Sequence, residues 1–301
     1  MYPRASFRIG AIAWLWPALA LVALSPARAA RNDAIVISAV AARDYVRPVG
    51  ADGQPPPETY AFMEGAHFAS ATADASEKKM TFDTITRVLA VNLAKQNYFP
   101  TRDLTGAKLL IRVFWGTTLV YEDPQQLENM DSLNAAMTQF KSDMDAAGIA
   151  DPGRVNEVKS AQAGERGAAN LAVTRNAALL GYTHSLDKLS TRIIGTGDEI
   201  ELRHELGEER YFVVLLAYDY EQLRQTKKAR LLWITRLSIR SPGNNFTEAL
   251  PMLALAGAQS YGHNLDDMQR VRVHDLPGGE VKMPEMKVLG AEEKPARTGE
   301  K

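Results

Sequence analysis

The chain has 301 residues, 46% of them hydrophobic, with 35 basic against 36 acidic side chains and no cysteine. Those proportions describe a folded globular protein rather than a disordered or collagen-like one. They exclude disulfides, thiolate zinc sites, iron–sulfur clusters and cysteine nucleophiles. They also argue against nucleic acid as a partner, since phosphate neutralisation takes a concentrated surplus of Lys and Arg.

The first segment places Arg4 and Arg8 ahead of an apolar run from Ile9 to Leu24, followed by Ser25, Pro26 and the small-x-small pattern Ala27-Arg28-Ala29. That order predicts a secretory signal peptide over residues 1–29, cleaved after Ala29 or Ala30. The run contains Pro17 and is shorter than the roughly 20 residues that span a bilayer as a helix. The alternative is an uncleaved amino-terminal anchor. The expected location is periplasmic or secreted, with no membrane span after signal cleavage. A chain without disulfides in an oxidising compartment has to rely on an ordinary hydrophobic core, which its length can supply.

Residues 34–40, AIVISAV, form a β-branched run suited to a strand, and a loop rich in Pro and Gly follows. Thr59-Tyr60-Ala61-Phe62-Met63 predicts a second strand. From Thr81 the period changes: Phe82, Ile85, Leu89 and Leu93 recur at steps of three and four, the stripe of a helix that Pro100 closes. Residues 108–118, KLLIRVFWGTT, return to strand alternation, with Leu109, Ile111, Val113 and Trp115 on one face and Leu110, Arg112 and Phe114 on the other.

Residues 125–190 are rich in Ala, Gln, Asn, Met and charge, and are expected to be a helical insertion. Met130, Leu133, Met137, Phe140 and Met144 make a narrow stripe that reads either as the seam of a helical hairpin or as an adaptable partner-binding surface. A partner helix is expected from Asp151-Pro152 to Tyr182, interrupted at Gly164 and Gly167. Residues 211–220, YFVVLLAYDY, predict a strand covered on both faces. Glu221 to Lys228 turns the chain into 230–240, RLLWITRLSIR, the second arm of a hairpin, with Leu231, Trp233, Leu237 and Ile239 on one side. A helix over 246–261 follows, with Pro251 in or near its first turn. The tail 277–301 is rich in Gly, Pro, Lys and Glu and is expected not to fold.

The order predicts an α+β fold: a mixed or antiparallel sheet with helices on one face and an inserted helical hairpin. Residues 30–124 and 191–276 form the single domain in this reading, and 125–190 is an arm that the core can lose and still fold.

The segments TYAFMEG, FDTITRVLAVNLAKQNYFP and AKLLIRVFWGTT, spanning residues 59–118, together resemble a bacterial periplasmic, lipoprotein-type envelope domain of unknown function. In that domain a strand, a helix with an aromatic turn and a hydrophobic strand succeed one another. The resemblance implies a fold and a compartment and no catalytic residue. This chain departs from the family in lacking the lipid-bearing cysteine and in carrying the long insertion.

The five histidines, His67, His184, His204, His263 and His274, show no metal-ligand spacing, so neither metal nor cofactor is expected. On a helix His204 and Glu208 make a two-ligand pair at most, and a charged turn before the 211–220 strand is the plainer reading. The chain has no G-x-S-x-G elbow, phosphate loop or dinucleotide fingerprint; Gly195-Thr196-Gly197-Asp198 reads as a turn. Asp219 with Glu221, and Asp266 with Asp267, are adjacent acids of the kind that face solvent. Tyr98 and Phe99, with Tyr218 and Tyr220, are candidates for lining a ligand cleft or for packing on the sheet. Asn245 reads as a helix cap. The expected role is a non-enzymatic binding or assembly module that engages a protein partner or itself through the insertion. The alternatives are a periplasmic hydrolase with non-local catalytic groups, around His204 or His184, and a small-ligand carrier.

Overall fold

The computed structural model describes residues 34–51, 53–69, 75–118, 120, 135, 137–142, 165–190 and 197–276. The predicted leader, most of the methionine-rich stretch and the tail therefore lie outside the described residues. The described part is one mixed sheet in an α+β fold. Its strands are β1 (Ala34–Ala41), β2 (Glu58–Phe68), β3 (Tyr98–Pro100), β4 (Leu109–Thr117), β5 (Arg210–Asp219), β6 (Leu231–Arg240) and β7 (Gln269–Arg272), in the spatial order β3-β2-β4-β5-β6-β1-β7.

β2 pairs in parallel with both β3 and β4, and every other pairing is antiparallel. A parallel neighbour cannot be reached by a tight turn, so the chain crosses over the sheet through helix α1 (Phe82–Leu93). The Thr81 Oγ1 caps α1 by accepting from Thr84 N at 3.2 Å. Ile85, Val88, Leu89 and Leu93 are buried in the core, so the predicted stripe gains Val88, while its first member, Phe82, is only partly buried against the same core.

Two hydrophobic cores lie on opposite faces of the sheet, as the alternation of strand side chains requires. The first collects Leu109, Ile111, Val113 and Trp115 of β4, Val213 and Leu215 of β5, and Trp233, Leu237 and Ile239 of β6 under α1 and helix α6 (Phe246–Ala256). The Asn245 side chain caps α6, accepting from Thr247 N at 2.9 Å. Pro251 stands inside α6 and not in its first turn, withdrawing one helical donor.

The second core takes the alternate side chains, Phe114, Phe212, Val214, Leu216 and Tyr218, and covers them with helices α2 (Glu165–Leu180), α3 (Thr183–Ser190) and α4 (Gly197–Gly207). Ala177, Leu179, Leu180, Tyr182, Leu202 and Leu206 are the covering side chains. The helices are thus divided between both faces: α1 and α6 satisfy one, and α2 to α4 satisfy the other. Residues 165–190 belong by packing to the body of the protein, because the apolar second face of β5 would otherwise meet water. α2 runs through Gly167 without a break, and the charged stretch around His204 is helical where a turn was expected.

Two local differences have clear causes. The turn expected over Glu221–Lys228 is a short helix, α5 (Tyr220–Thr226), initiated by Asp219 Oδ1 accepting from Gln222 N at 2.8 Å. A register shift in the β5/β6 ladder pairs Ala217 with Trp233 but Tyr218 with Leu231, so Leu232 is an extra residue. Leu231 consequently joins the second core and Leu232 the first, reversing the face predicted for Leu231. Gly116 of β4 is required by close approach: at φ +134° its Cβ would lie 2.0 Å from the Phe68 carbonyl oxygen.

The second face also buries charge. The Arg210 side chain is 1% exposed and lies 3.1 Å from Glu205 of α4, while Glu205 also meets Arg270 at 2.9 Å. Arg210 Nε donates to Ser238 Oγ at 3.2 Å, and the Tyr182 hydroxyl donates to Glu205 at 3.0 Å. Burial and the charge of Glu205 push the Tyr182 hydroxyl pKa upward, against the opposing pull of Arg210. A buried cation stripped of its carboxylate is costly whereas an apolar pair of similar size is not. Glu205→Ala is expected to lower stability by about 3–5 kcal/mol in urea titrations, and Glu205→Leu with Arg210→Met to recover most of that loss.

Candidate functional site

A cleft of about 1110 Å³ is walled by residues of the end of β1 and the following loop (among them Val40, Arg43, Val46, Arg47, Val49 and Gly53), by Lys95 and Gln96 beyond α1, and by Gln259 and Gly262 to Asn264 beyond α6. Its described lining residues include Arg43, Arg47, Lys95 and His263, and none of them is Asp or Glu.

The loop wall is held by anchors to the start of β2 and β3. The Arg47 guanidinium lies 4.1 Å from the Tyr98 ring centroid and donates to the carbonyls of Gln96 at 2.5 Å and Pro56 at 2.8 Å. Glu58 balances it at 3.7 Å. The Tyr45 hydroxyl donates to Glu58 Oε2 at 2.8 Å and shares a 2.9 Å hydrogen bond with the Tyr98 hydroxyl. Asn97, held in the left-handed region at φ 57°, donates from Nδ2 to the Pro55 carbonyl at 2.8 Å.

The opposite wall is tied down too. Gln96 Nε2 donates to Gln259 Oε1 at 3.0 Å, and the His263 ring meets Gln96 Oε1 at 3.3 Å. Gly262 stands at φ +77°, where a Cβ would fall 2.0 Å from the Tyr98 hydroxyl. The walls are therefore built around one buried tyrosine.

Arg43 and Lys95 differ from Arg47. Both are exposed on the cleft, and neither forms an ion pair or side-chain hydrogen bond among the described residues. Partial burial lowers the Lys95 pKa below that of an ordinary lysine. Two cations unpaired among the described residues line the cleft together with His263, and none of its described lining residues is a carboxylate, a balance that favours an anion.

The sequence-predicted candidates are dispersed. Tyr98 is fully buried beneath the cleft, and Phe99 is half-buried on the short edge strand β3. Tyr218 belongs to the core on the opposite face, and Tyr220 opens α5 with Arg224 over its ring, so the four aromatics do not share one cleft. Met137 and Phe140 are buried in the second core, with the Phe140 ring edge-on to Phe114 at 5.3 Å; Met130, Leu133 and Met144 lie outside the described residues. Those two stripe residues pack inward on the sheet.

His204 meets Glu208 at 3.7 Å and is 77% exposed, and His184 is exposed on α3. His67 binds Glu77 at 2.7 Å and stacks on Trp115, while His274 pairs with its neighbour Asp275. Among the described residues no group of three or more His, Asp or Glu is placed to hold a metal ion, and no helix is long and apolar enough to cross a membrane. Asp219 is a helix cap that also meets Arg230 at 3.4 Å.

The site was not legible in the sequence, because the Arg43–Arg47 segment, Lys95 and His263 lie far apart in the chain. The only local signal is Ala42-Arg43-Asp44-Tyr45-Val46-Arg47, where an aromatic and two arginines interrupt a Pro/Gly-rich loop. No protein-family model matches the chain, and no curated protein matches it.

Burial, joined at Tyr45 by its contacts with Tyr98 and Glu58, raises the pKa values of Tyr45, Tyr60, Tyr98 and Tyr261 above the ordinary tyrosine value. A raised folded-state pKa contributes stability that is complete below the unfolded value of about 10 and is lost as pH climbs beyond it. Alkaline titration should show these tyrosines ionising in one cooperative step with loss of near-ultraviolet dichroism, after the exposed tyrosines have titrated.

Proposed function

We propose that the protein is an exported envelope protein acting as a binding module, and that its cleft receives an anionic ligand. The observation that carries this reading is the pair of cations, Arg43 and Lys95, unpartnered among the described residues, on a cleft whose described lining residues include no carboxylate. The walls are braced before any ligand arrives, which lowers the ordering cost of binding. Export rests on the Arg4/Arg8, apolar run and Ala27-Arg28-Ala29 order of the leader. Of the roles open to such a chain, ligand carriage draws more support than association through the 125–190 stripe, since Met137 and Phe140 are spent on the sheet.

Two measurements test this. Mass spectrometry of the protein recovered from outside the cytoplasm should give a chain beginning at Ala30 or Arg31; a full-length chain retained in the membrane would support the anchor instead. Calorimetric titration at low salt with a panel of hydrophilic and amphiphilic anions should give saturable binding of at least one, weakened about tenfold or more by Arg43→Ala with Lys95→Ala. Because the Lys95 pKa is lowered, affinity should fall at a lower pH than an ordinary lysine would dictate, and Lys95→Arg should flatten that fall. No saturable binding of any anion would overturn the reading.

A further inference from the structure

The cleft carries more than charge. Val40, Val46 and Val49 are 43%, 78% and 70% exposed, and all three line it. Single exposed apolar residues are ordinary on a protein surface, but three lining one cleft give it an apolar component beside its charge. Val46 lies between Tyr45 and Arg47, and those two are the anchors to Glu58, Tyr98, Gln96 and Pro56. Folding Val46 inward would break those bonds, so the anchors on either side hold that valine in solvent.

Size adds a second constraint. A water molecule occupies about 30 Å³ in the liquid, and inorganic phosphate is only a few times larger. A cleft of about 1110 Å³ would leave a bare anion surrounded mostly by solvent. Exposed valines and cations unpaired among the described residues, lining one cleft, match a ligand that carries both chemistries on one molecule.

We propose that the cleft binds a single-chain anionic amphiphile as a monomer, its phosphate or carboxylate head on Arg43 and Lys95 and its hydrocarbon chain along Val40, Val46 and Val49. His263 also lines the cleft, and Arg47, already engaged by Glu58 and three backbone carbonyls, positions the loop. This inference rests on the anionic-ligand reading above and narrows it to a ligand class.

The test uses the exported chain and dodecyl phosphate below its micelle-forming concentration, with inorganic phosphate, dodecyl maltoside, an acidic peptide and anionic lipid vesicles as comparators. Dodecyl phosphate is expected to bind saturably and at least about tenfold more tightly than inorganic phosphate or dodecyl maltoside. Val46→Asp with Val49→Asp, and separately Arg43→Ala with Lys95→Ala, should each weaken it about tenfold or more. All four side chains are exposed, and an unchanged thermal midpoint checks that each variant is folded. Inorganic phosphate binding as tightly, with the valine variant inert, would overturn the amphiphile and leave the anion reading standing. Dodecyl maltoside binding as tightly, with the Arg43/Lys95 variant inert, would overturn both. Tighter binding of the acidic peptide, or binding to vesicles without binding of the monomer, would replace the amphiphile with a peptide or a membrane surface.

Discussion

β5 has no solvent side. From Arg210 to Tyr218 every residue is buried, so the strand at the middle of the sheet presents apolar side chains in both directions and needs a helical layer on each. Fully burying a large apolar side chain is worth roughly 1.5–3 kcal/mol, and no turn or loop supplies matching area. α1 and α6 meet the first demand with Leu89, Leu93, Leu250 and Leu253; α2 and α4 meet the second with Leu179, Leu180, Leu202 and Leu206. The long excursion between β4 and β5 is in this sense the price of a two-faced central strand.

The second layer brings charge with it. Arg210 begins β5 at the point where α4 ends, and its burial makes sense only because Glu205 reaches it from that helix. Tyr182, between α2 and α3, and Arg270, on the edge strand β7, converge on the same carboxylate. One acidic side chain therefore ties β5, β7 and two helices together, and fixes how the helical layer sits on the sheet by geometry that apolar packing alone would leave adjustable.

The first layer brings the cleft. Because α1 must deliver the chain to β3 parallel to β2, it ends beside the loop that follows β1, and Asn97 turns the chain with a left-handed backbone. Tyr98 then sits under that loop with Trp233 at 5.7 Å behind it and Arg47 in front. The crossover that builds the parallel part of the sheet also brings Lys95 and Gln96 to the cleft that Arg43 lines, so the proposed site follows from the topology rather than from a sequence motif.

Much of the fold was readable from the chain, wherever the signal was local. The alternation of Leu109, Ile111, Val113 and Trp115, the unbroken apolar run of β5, the stripe of α1 and the Asn245 cap each follow from backbone geometry acting over a few residues, and the absence of cysteine removed whole chemistries. What depended on partners distant in sequence was not readable. The parallel pairing of β2 with β4, the extra residue at Leu232 that turns Leu231 to the other face, and the commitment of Met137 and Phe140 to the sheet all come from contacts between remote segments. The cleft is the extreme case, since Arg43, Lys95 and His263 carry no shared period or spacing. Local torsional preference and hydrophobic period are written residue by residue, whereas the meeting of charges from three separated segments exists only after the sheet has closed the distance between them.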